Sequence, residues 1–290
     1  MTPEAPWTVR RLLEWTTADF RDRRLDAPRL SAELLLCAVL GVDRIRLVTD
    51  PERPLRDAEL QRFRELVRRR RAGEPVAYLL GHREFYGMEL LVDGRVLIPR
   101  PDTETLVEVG LRRTRSREAF GRALDLCTGS GCVAIAFARS RPTWRVVGTD
   151  LSADALAVAR ENAVRQGAVF NCCFRQGDLT ACLPAEARYE LILSNPPYIP
   201  TAELETLDVG IRDFEPRLAL DGGPDGLDIV RRLVGEAVPR LVPGGVLALE
   251  IACDQGERTA ELLRAAGLQD VAIDKDYGGN DRVVSAELRR

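Results

Sequence analysis

The chain contains 290 residues, of which 45% are hydrophobic and 30% are charged, a composition that suits a globular protein able to bury a sizeable core. A net charge of −3, with Lys275 as the single lysine, does not favour a protein that holds nucleic acid through overall positive charge. The single histidine, His82, gives little support to a histidine-based triad, and seven cysteines without paired C-x-x-C spacing argue against a disulfide framework or a metal site.

Residues 1–73 are predicted to form a small helical bundle, as a separate N-terminal domain. Thr8 can cap a helix from Val9 to Phe20, a second helix is predicted from Pro28 to Leu40, and a third from about Leu55 to Arg71. Each of these segments carries apolar residues at helical spacing, and no strand-like run separates them. The pattern therefore favours helices packed against one another.

The composition changes at Glu74. Residues 74–100 are rich in glycine, aromatic and β-branched residues, and we interpret them as a β-hairpin linker. Residues 101–290 then alternate strand-like and helical patterns. The strand-like runs are Ala123–Leu126, Arg145–Thr149, Glu190–Ser194, Val246–Ile251, Val271–Asp274 and Arg282–Glu287. Because these runs are continuously apolar, they predict a sheet covered on both faces, which is a doubly wound α/β domain.

A glycine-rich turn, LDLCTGSG at 124–131, follows the first of these strands and opens a predicted helix, Cys132–Ala138. Gly129 and Gly131 allow the backbone to turn sharply and to approach a ligand closely. Sites for NAD, FAD and S-adenosylmethionine all use such a turn, so it indicates a nucleotide-like cofactor without identifying it. The alternative is a tight turn that serves packing alone.

Acidic residues mark the ends of the next strand-like segments. Asp150 is placed to accept hydrogen bonds from two ribose hydroxyls, and Asp178 follows at a position where a carboxylate can meet an adenine amino group. A lone acidic residue at a strand end is usually a helix cap. With Asp125, three of them in register favour a cofactor site, although this spacing would also serve NAD.

The sequence Asn195-Pro196-Pro197-Tyr198 is the most specific chemical signal in the chain. The prolines have no N–H group, so neighbouring carbonyls have no local donor competing for them. The Asn195 side-chain oxygen and the Pro196 carbonyl can then accept both hydrogens of a planar –NH2 group, and Tyr198 can stack on its face. This arrangement predicts an amino-group methyltransferase that uses S-adenosylmethionine; a Pro-Pro turn that caps a buried strand is the structural alternative.

Over nearly its whole length the sequence resembles the bacterial release factor glutamine methyltransferases. The matching segments are GEPVAYLLG (73–81), LIPRPDTETLVE (97–108), LDLCTGSG (124–131), DLSADALAVARENA (150–163), SNPPYIP (194–200), FEPRLALDGGPDGLD (214–228), GGVLALEIACDQG (244–256) and DYGGNDRVV (276–284). N-P-P-Y alone is shared with adenine-specific DNA methyltransferases and some ribosomal RNA guanine enzymes. The P-R-P-D-T-E segment and the helical N-terminal domain narrow the resemblance to glutamine methylation.

The resemblance implies a seven-stranded methyltransferase fold, S-adenosylmethionine as cofactor, and the glutamine of the Gly-Gly-Gln loop of class I release factors as substrate. The implied cofactor-binding residues are Cys127, Thr128, Gly129, Ser130, Gly131, Asp150, Leu151, Asp178, Leu179 and Asn195. The implied catalytic residues, which hold the glutamine amide, are Asn195, Pro196, Pro197 and Tyr198. Cys127 departs from the glycine that the family has at the first position of the loop. The N-terminal domain would recognise the substrate. Glu215-Pro216 and the glycines of 222–226 would belong to a loop over the active site, with a simple long connection as the alternative.

The sequence also sets expectations for compartment and assembly. No apolar run approaches the roughly 18 residues needed to cross a bilayer, and the sequence MTPEAPWTVRRLLEW lacks the pattern of a secretory signal. We therefore expect a cytoplasmic monomer without membrane contact or a stable nucleic-acid partner. The basic run Arg68–Arg71 is interpreted as a solvated helix end, with docking to an acidic surface as the alternative.

Other functions are left open by the sequence. Sister enzymes that methylate a glutamine of a ribosomal protein share N-P-P-Y, and so do enzymes that methylate adenine or guanine in nucleic acid. The latter should carry a basic target-binding region and aromatic platforms for a flipped base. A non-catalytic cofactor-binding module is disfavoured because it has no need of acceptors aimed at an –NH2 group.

Overall fold

In the computed structural model, which describes residues 6–117 and 119–289, the chain divides into two units with separate cores. One unit holds the described residues up to Gly81 together with Asp208–Phe214, and the other holds His82–Leu207 and the residues from Glu215 onward. The sequence places the first boundary at residue 73, whereas the structural units divide at Gly81. Within the described ranges no helix is long and apolar enough to span a membrane.

The first unit is helical. Its helices are α1 (Val9–Asp22), α2 (Pro28–Leu40), α3 (Arg44–Thr49), α4 (Asp57–Arg71) and α5 (Val76–Leu80), and α9 (Val209–Arg212) joins them from later in the chain. The predicted cap is confirmed, because the Thr8 side chain accepts a hydrogen bond from the Arg11 backbone N–H. Leu35, Leu36 and Phe63 are completely or almost completely buried in the shared core. The short α3 was not predicted, because six residues carry too little helical periodicity.

The arginine run at the end of α4 is engaged within this unit. Its ion pairs are Arg68–Glu65, Arg69–Glu74, Arg70–Asp26 and Arg71–Asp19. The prediction of a solvated helix end is wrong for Arg70, which is only 3% exposed. Buried arginine needs a carboxylate partner, and Arg70 follows Phe63 and Val67 on the buried face of α4, which a charge count along the sequence does not show.

The linker predicted at 74–100 is only partly a hairpin. α5 occupies its beginning, because Pro75 provides the N-cap and Gly81 ends the helix at φ +78°. The hairpin itself consists of β1 (His82–Phe85) and β2 (Met88–Leu91), which are antiparallel. Its residues Phe85, Met88 and Leu90 are buried in the core of the second unit.

The second unit confirms the predicted α/β fold. Its helices are α6 (Glu104–Arg113), α7 (Cys132–Ser140), α8 (Ala153–Arg165), α10 (Asp228–Ala237) and α11 (Gly256–Ala265). Its strands are β3 (Arg122–Leu126), β4 (Arg145–Asp150), β5 (Cys172–Gln176), β6 (Tyr189–Ser194), β7 (Leu241–Glu250), β8 (Leu268–Lys275) and β9 (Asp281–Leu288). In the described residues these seven strands form one sheet in the order β5-β4-β3-β6-β7-β9-β8, antiparallel only at β9.

Both faces of this sheet are buried, as the apolar strands predict. Along β6, Leu191 and Leu193 belong to one hydrophobic cluster and Ile192 belongs to the other. Alternate residues of a strand point to opposite faces, so a strand buried on both sides must be apolar throughout. The sheet is therefore rigid and dry at its centre, where β3 lies between β4 and β6.

Several of the predicted site residues lie at the carboxyl ends of these central strands. Leu126 at the end of β3 pairs with Thr149 of β4 on one side and with Ser194 of β6 on the other. After β3 the chain forms β4 and β5 on one side of β3, and it then forms β6 on the other side. Such a change of direction is a topological switch point, which is where α/β sheets bind ligands. Cys127, Asp150 and Asn195 each follow one of these aligned positions or end the strand there.

We expect Trp144→Ala to lower the free energy of unfolding by about 3–5 kcal/mol, because the indole is fully buried and packs edge-on against Phe137 at 5.3 Å between ring centroids. Phe170→Ala is the matched control. Its ring is 85% exposed, so the change should stay within about 0.5 kcal/mol. Urea denaturation of the two variants measures the difference, and equal losses would contradict the assigned core.

Candidate active site

A cavity of about 550 Å³ opens at the carboxyl ends of the central strands. This volume lies within the range of about 300–1,000 Å³ that is usual for small-molecule sites. The predicted site residues in its wall are Cys127, Thr128, Gly129, Ser130, Asp150, Leu151, Leu179, Asn195 and Pro197. The structure thus brings the glycine-rich turn, the end of β4 and the N-P-P-Y segment to one cavity, all within the second unit.

The glycine-rich turn has the conformation that its sequence predicts. Gly129 has φ +54° and Gly131 has φ +79°. A side chain on Gly131 would press against Ile135, Phe174 and Ala159 at 3.0–3.1 Å, so this glycine serves close packing of α7. Above Gly129 there is open space, because a Cβ there would meet no atom within 4 Å. Gly131 packs the turn, and Gly129 leaves room for a ligand.

A buried carboxylate supports the turn from below. Asp125 Oδ2 accepts hydrogen bonds from Thr128 Oγ1 at 2.5 Å and from the Ala134 backbone N–H at 3.2 Å. Burial raises the pKa of Asp125 to about 7. Asp125 therefore fixes the loop and the start of α7, and it is a buried part of the cavity wall.

Cys127 adopts the left-handed conformation that the family glycine would adopt, with φ +58°. A residue with a Cβ pays about 1–2 kcal/mol for this conformation. The rest of the turn is nevertheless kept, since the Thr128 N–H donates to the Thr149 carbonyl at 3.0 Å and the Gly131 N–H to the Thr128 carbonyl at 2.8 Å. Burial raises the pKa of the Cys127 thiol to about 12, so the side chain is a neutral part of the cavity wall.

Asp150 joins the turn to the end of β4. Its Oδ2 accepts from the Gly129 N–H at 2.8 Å, and its Oδ1 accepts from the Ser152 N–H at 2.9 Å. Each carboxylate oxygen has a second lone pair, so both can still accept from ribose hydroxyls. Burial raises the pKa of Asp150, and these backbone donors oppose that effect.

Asp178 lies differently from the expectation. Its carboxylate pairs with Arg232 at 2.7 Å, and the residue is not among those that line the cavity, although its neighbours Gly177 and Leu179 are. The structure therefore places an apolar side chain, Leu179, in the wall at the predicted adenine position. A contact between the Asp178 carboxylate and adenine stays a prediction.

The N-P-P-Y segment contributes Asn195 and Pro197 to the cavity wall, whereas Pro196 and Tyr198 are not among the lining residues. Asn195 Nδ2 donates to Thr103 Oγ1 at 3.3 Å. Tyr198 donates its hydroxyl to Glu250 Oε1 at 3.4 Å, and burial raises the pKa of this tyrosine, so the hydroxyl stays protonated. Stacking of Tyr198 on a substrate amide stays a prediction.

The loop expected over the site does line the cavity, with residues Pro216, Arg217, Leu218, Ala219 and Asp221. It is anchored at Glu215, which is 5% exposed and pairs with Arg100 at 2.7 Å. It is also joined to the N-P-P-Y segment, because the Gly222 N–H donates to the Ile199 carbonyl at 2.9 Å. A Cβ on Gly222 would lie 2.8 Å from Tyr198 Cα and 2.9 Å from the Pro197 carbonyl oxygen, so only glycine allows this contact.

Three residues near the N-P-P-Y segment were missed from the sequence. Arg100 and Thr103 belong to the P-R-P-D-T-E segment and line the cavity, and Glu250 ends β7 beside it. The segment was noted only as part of the family resemblance. A usable signal was available for Glu250, because a charged residue that ends an otherwise apolar strand requires buried partners.

Comparison with known proteins supports this description. Residues 11–81 match the family model "PrmC N-terminal domain", and residues 103–211 match "Methyltransferase small domain". A methyltransferase from Pyrococcus furiosus has a similar fold, with a TM-score of 0.52 and 17% sequence identity over 71% of this chain and 91% of that chain. Fold and site together define an S-adenosylmethionine-dependent methyltransferase.

Two relatives identify the family. The chain is 43% identical over 282 residues to the release factor glutamine methyltransferase of Geobacter sulfurreducens, covering 97% of each chain. It is 46% identical over 261 residues to that of Bordetella pertussis, covering 90% of this chain and 95% of the other. The chain belongs to the release factor glutamine methyltransferase family.

The residues present fit S-adenosylmethionine. The open space above Gly129 and the backbone turn suit its methionine part, the carboxylate of Asp150 suits a ribose, and the side chains of Leu151 and Leu179 suit a flat base. When bound, the cofactor supplies an electrophilic methyl group. The assignment of each of these residues to a part of the cofactor stays a proposal.

We expect Asp150→Ala to raise the dissociation constant for S-adenosylmethionine by at least about tenfold, because hydrogen bonds to a charged group are lost and the Gly129 N–H loses its acceptor. Asp154→Ala is the control, since Asp154 is exposed in the first turn of α8, and its effect should stay within about twofold. Calorimetric titration measures both, and unchanged affinity in Asp150→Ala would remove this residue from the site.

Proposed function

We propose that the protein transfers the methyl group of S-adenosylmethionine to the side-chain amide nitrogen of the glutamine in the Gly-Gly-Gln motif of class I peptide chain release factors. The observation that carries this proposal is that Asn195 and Pro197 share one cavity with the turn Cys127–Ser130. A group held by the N-P-P-Y segment therefore lies next to the place that fits the cofactor. The family relationship identifies the group as a glutamine amide.

The chain's residues would act by orientation and electrostatics. The amide nitrogen is a poor nucleophile, because its lone pair is delocalised into the carbonyl. The Asn195 side-chain oxygen and the Pro196 carbonyl would accept hydrogen bonds from the two N–H groups of this nitrogen. They would thereby hold the nitrogen in line with the methyl group. Their partial negative charges also stabilise the positive charge that grows on the nitrogen. The proton becomes acidic only during this step, so no strong base is needed beside the amide.

The remaining assignments belong to the same proposal. Residues 1–73 would recognise the body of the release factor, and the arginines at the end of α4 would not contribute a free basic patch, because each is paired within its own unit. The proposed substrate implies a cytoplasmic location. The proposal further assumes that the enzyme acts as a monomer.

The direct test is methyl transfer from labelled S-adenosylmethionine to a purified release factor and to its Gly-Gly-Gln→Gly-Gly-Ala variant, with DNA and ribosomes as parallel acceptors. We expect label on the release factor and none on the variant. Label only on ribosomes or DNA would contradict the proposal and indicate a ribosomal glutamine or an exocyclic base amine as the acceptor.

We further expect Asn195→Ala to lower kcat by about 100-fold to 1,000-fold, which is the usual loss when one preorganised group of this kind is removed. Cofactor affinity should change by less than about threefold, because Asn195 acts mainly on the amide. Gln269→Ala, at an exposed position of β8, serves as the control for handling and folding. Full activity of Asn195→Ala in single-turnover assays would refute the assigned role.

A further inference from the structure

Leu179, in the cavity wall at the position proposed for the base of the cofactor, has a backbone conformation that residues with a side chain disfavour. Its φ is +46°, and the residue is 6% exposed. In this left-handed region the Cβ of an L-residue lies too close to the following carbonyl oxygen. Such a conformation persists only where the surroundings hold it, and it is often found at binding sites. The neighbours of Leu179 therefore show how this part of the wall is maintained.

The peptide group that joins Leu179 to Thr180 is held at both ends. Its carbonyl oxygen accepts a buried hydrogen bond from the Thr149 hydroxyl at 3.0 Å. Its N–H donates to Glu236 Oε2 at 3.3 Å, and the Thr180 hydroxyl donates to the same oxygen at 3.1 Å. Because a peptide group is planar, its orientation fixes one of the two soft dihedral angles of the residue before it. The bonds at its two ends thus help to keep Leu179 in its unusual conformation.

Thr149 connects this peptide group to the central sheet. It is the last residue but one of β4, it is 0% exposed, and it pairs with Leu126 of β3 in the parallel register. Its own carbonyl oxygen accepts from the Thr128 N–H of the glycine-rich turn at 3.0 Å. The main chain of Thr149 therefore supports the turn, whereas its side chain supports Leu179. A substitution that changes only the side chain can separate the two contacts.

We propose that Thr149 is a positioning residue for the base of S-adenosylmethionine, because its hydroxyl holds Leu179 in the wall where the base would lie. The inference rests on the proposed function only through the cofactor and the placement of its base against Leu179, and it does not depend on the methyl acceptor. Loss of the hydroxyl releases the Leu179 carbonyl, while the bond from Thr128 to the Thr149 main chain stays. Binding of the base is then weakened, and binding of the amino-acid part is not.

The test uses two ligands that share their ribose and homocysteine parts. S-adenosylhomocysteine carries adenine, and S-ribosylhomocysteine has no base. Calorimetric titration measures both dissociation constants, by competition where a ligand is weak, and no methyl acceptor is present. Thr149→Val removes the hydroxyl and keeps the branched shape, whereas Thr149→Ser keeps the hydroxyl.

Thr259→Val is the matched control for a buried threonine-to-valine change. Thr259 is 0% exposed in α11, and within the described part of the chain its hydroxyl has no hydrogen-bond partner. It is not among the residues that line the cavity. No hydrogen bond is lost there, so both dissociation constants should stay within about twofold of the wild-type values.

For Thr149→Val we expect the dissociation constant of S-adenosylhomocysteine to rise at least about fivefold, because the buried Leu179 carbonyl loses its donor and the residue can leave the wall. The constant of S-ribosylhomocysteine should stay within about twofold, because the turn keeps its bonds to the Thr149 carbonyl and to Asp150. Thr149→Ser should return both constants to within about twofold of the wild-type values.

The ratio of the two constants distinguishes positioning from a general structural role, which would lower the temperature of unfolding and leave the ratio unmoved. An unchanged ratio in folded Thr149→Val would overturn the proposal, and so would a Thr149→Ser variant that behaves like Thr149→Val. If Thr149→Val does not fold, Thr149→Ala carries the same test, because it also lacks the hydroxyl and places no methyl group against the Leu179 carbonyl. Equal affinity of the wild-type protein for both ligands would overturn the proposal as well. Failure of the proposed methyl acceptor is seen separately, in the transfer of label to the release factor.

Discussion

The arrangement of the site depends on the parallel register of three central strands. Leu126 is aligned with Thr149 on one side and with Ser194 on the other, so the residues that follow each strand emerge at one level. Backbone hydrogen bonds of the sheet, buried on both faces, maintain this alignment with little freedom. The glycine-rich turn, Asp150 and Asn195 then need only short connections to reach one cavity, and their positions relative to one another are set by the sheet.

Buried carboxylates hold several residues of the site in place. Asp125 holds the turn, Glu215 anchors the cavity loop through Arg100, and Glu250 lies behind the N-P-P-Y segment. A buried charge is costly unless it is hydrogen-bonded or paired, so each of these groups constrains its partners strongly. Thr128 and Arg100, which line the cavity, are therefore held by buried carboxylates, and part of the specificity of such a site lies in these supporting groups.

The sequence predicted the parts of this structure that depend on local pattern. The apolar strands indicated the double-sided sheet, and Gly129 and Gly131 indicated the turn, whereas amide binding by Asn195 and its prolines stays a prediction. It did not predict the partner of Asp178 or the burial of Arg70, because ion pairs between residues 54 and 44 positions apart leave no periodic signal. Thr103 was missed because its contact with Asn195 joins residues 92 positions apart. The position of Glu250 beside Asn195 depends on the register of β6 and β7, which is a property of the folded sheet.

The backbone contact at Gly222 has a mechanical consequence. Gly222 and Gly226 lie against the main chain of Pro197 and Tyr198, and Gln255 Nε2 donates to the Tyr198 carbonyl at 2.9 Å. Main chain packed on main chain leaves no side chain that could yield by changing its rotamer. The N-P-P-Y segment and residues 220–226 are thus closely packed and should behave as one rigid unit. We expect a substrate to meet this part of the site as a preformed surface, so that any adjustment on binding would fall on the substrate.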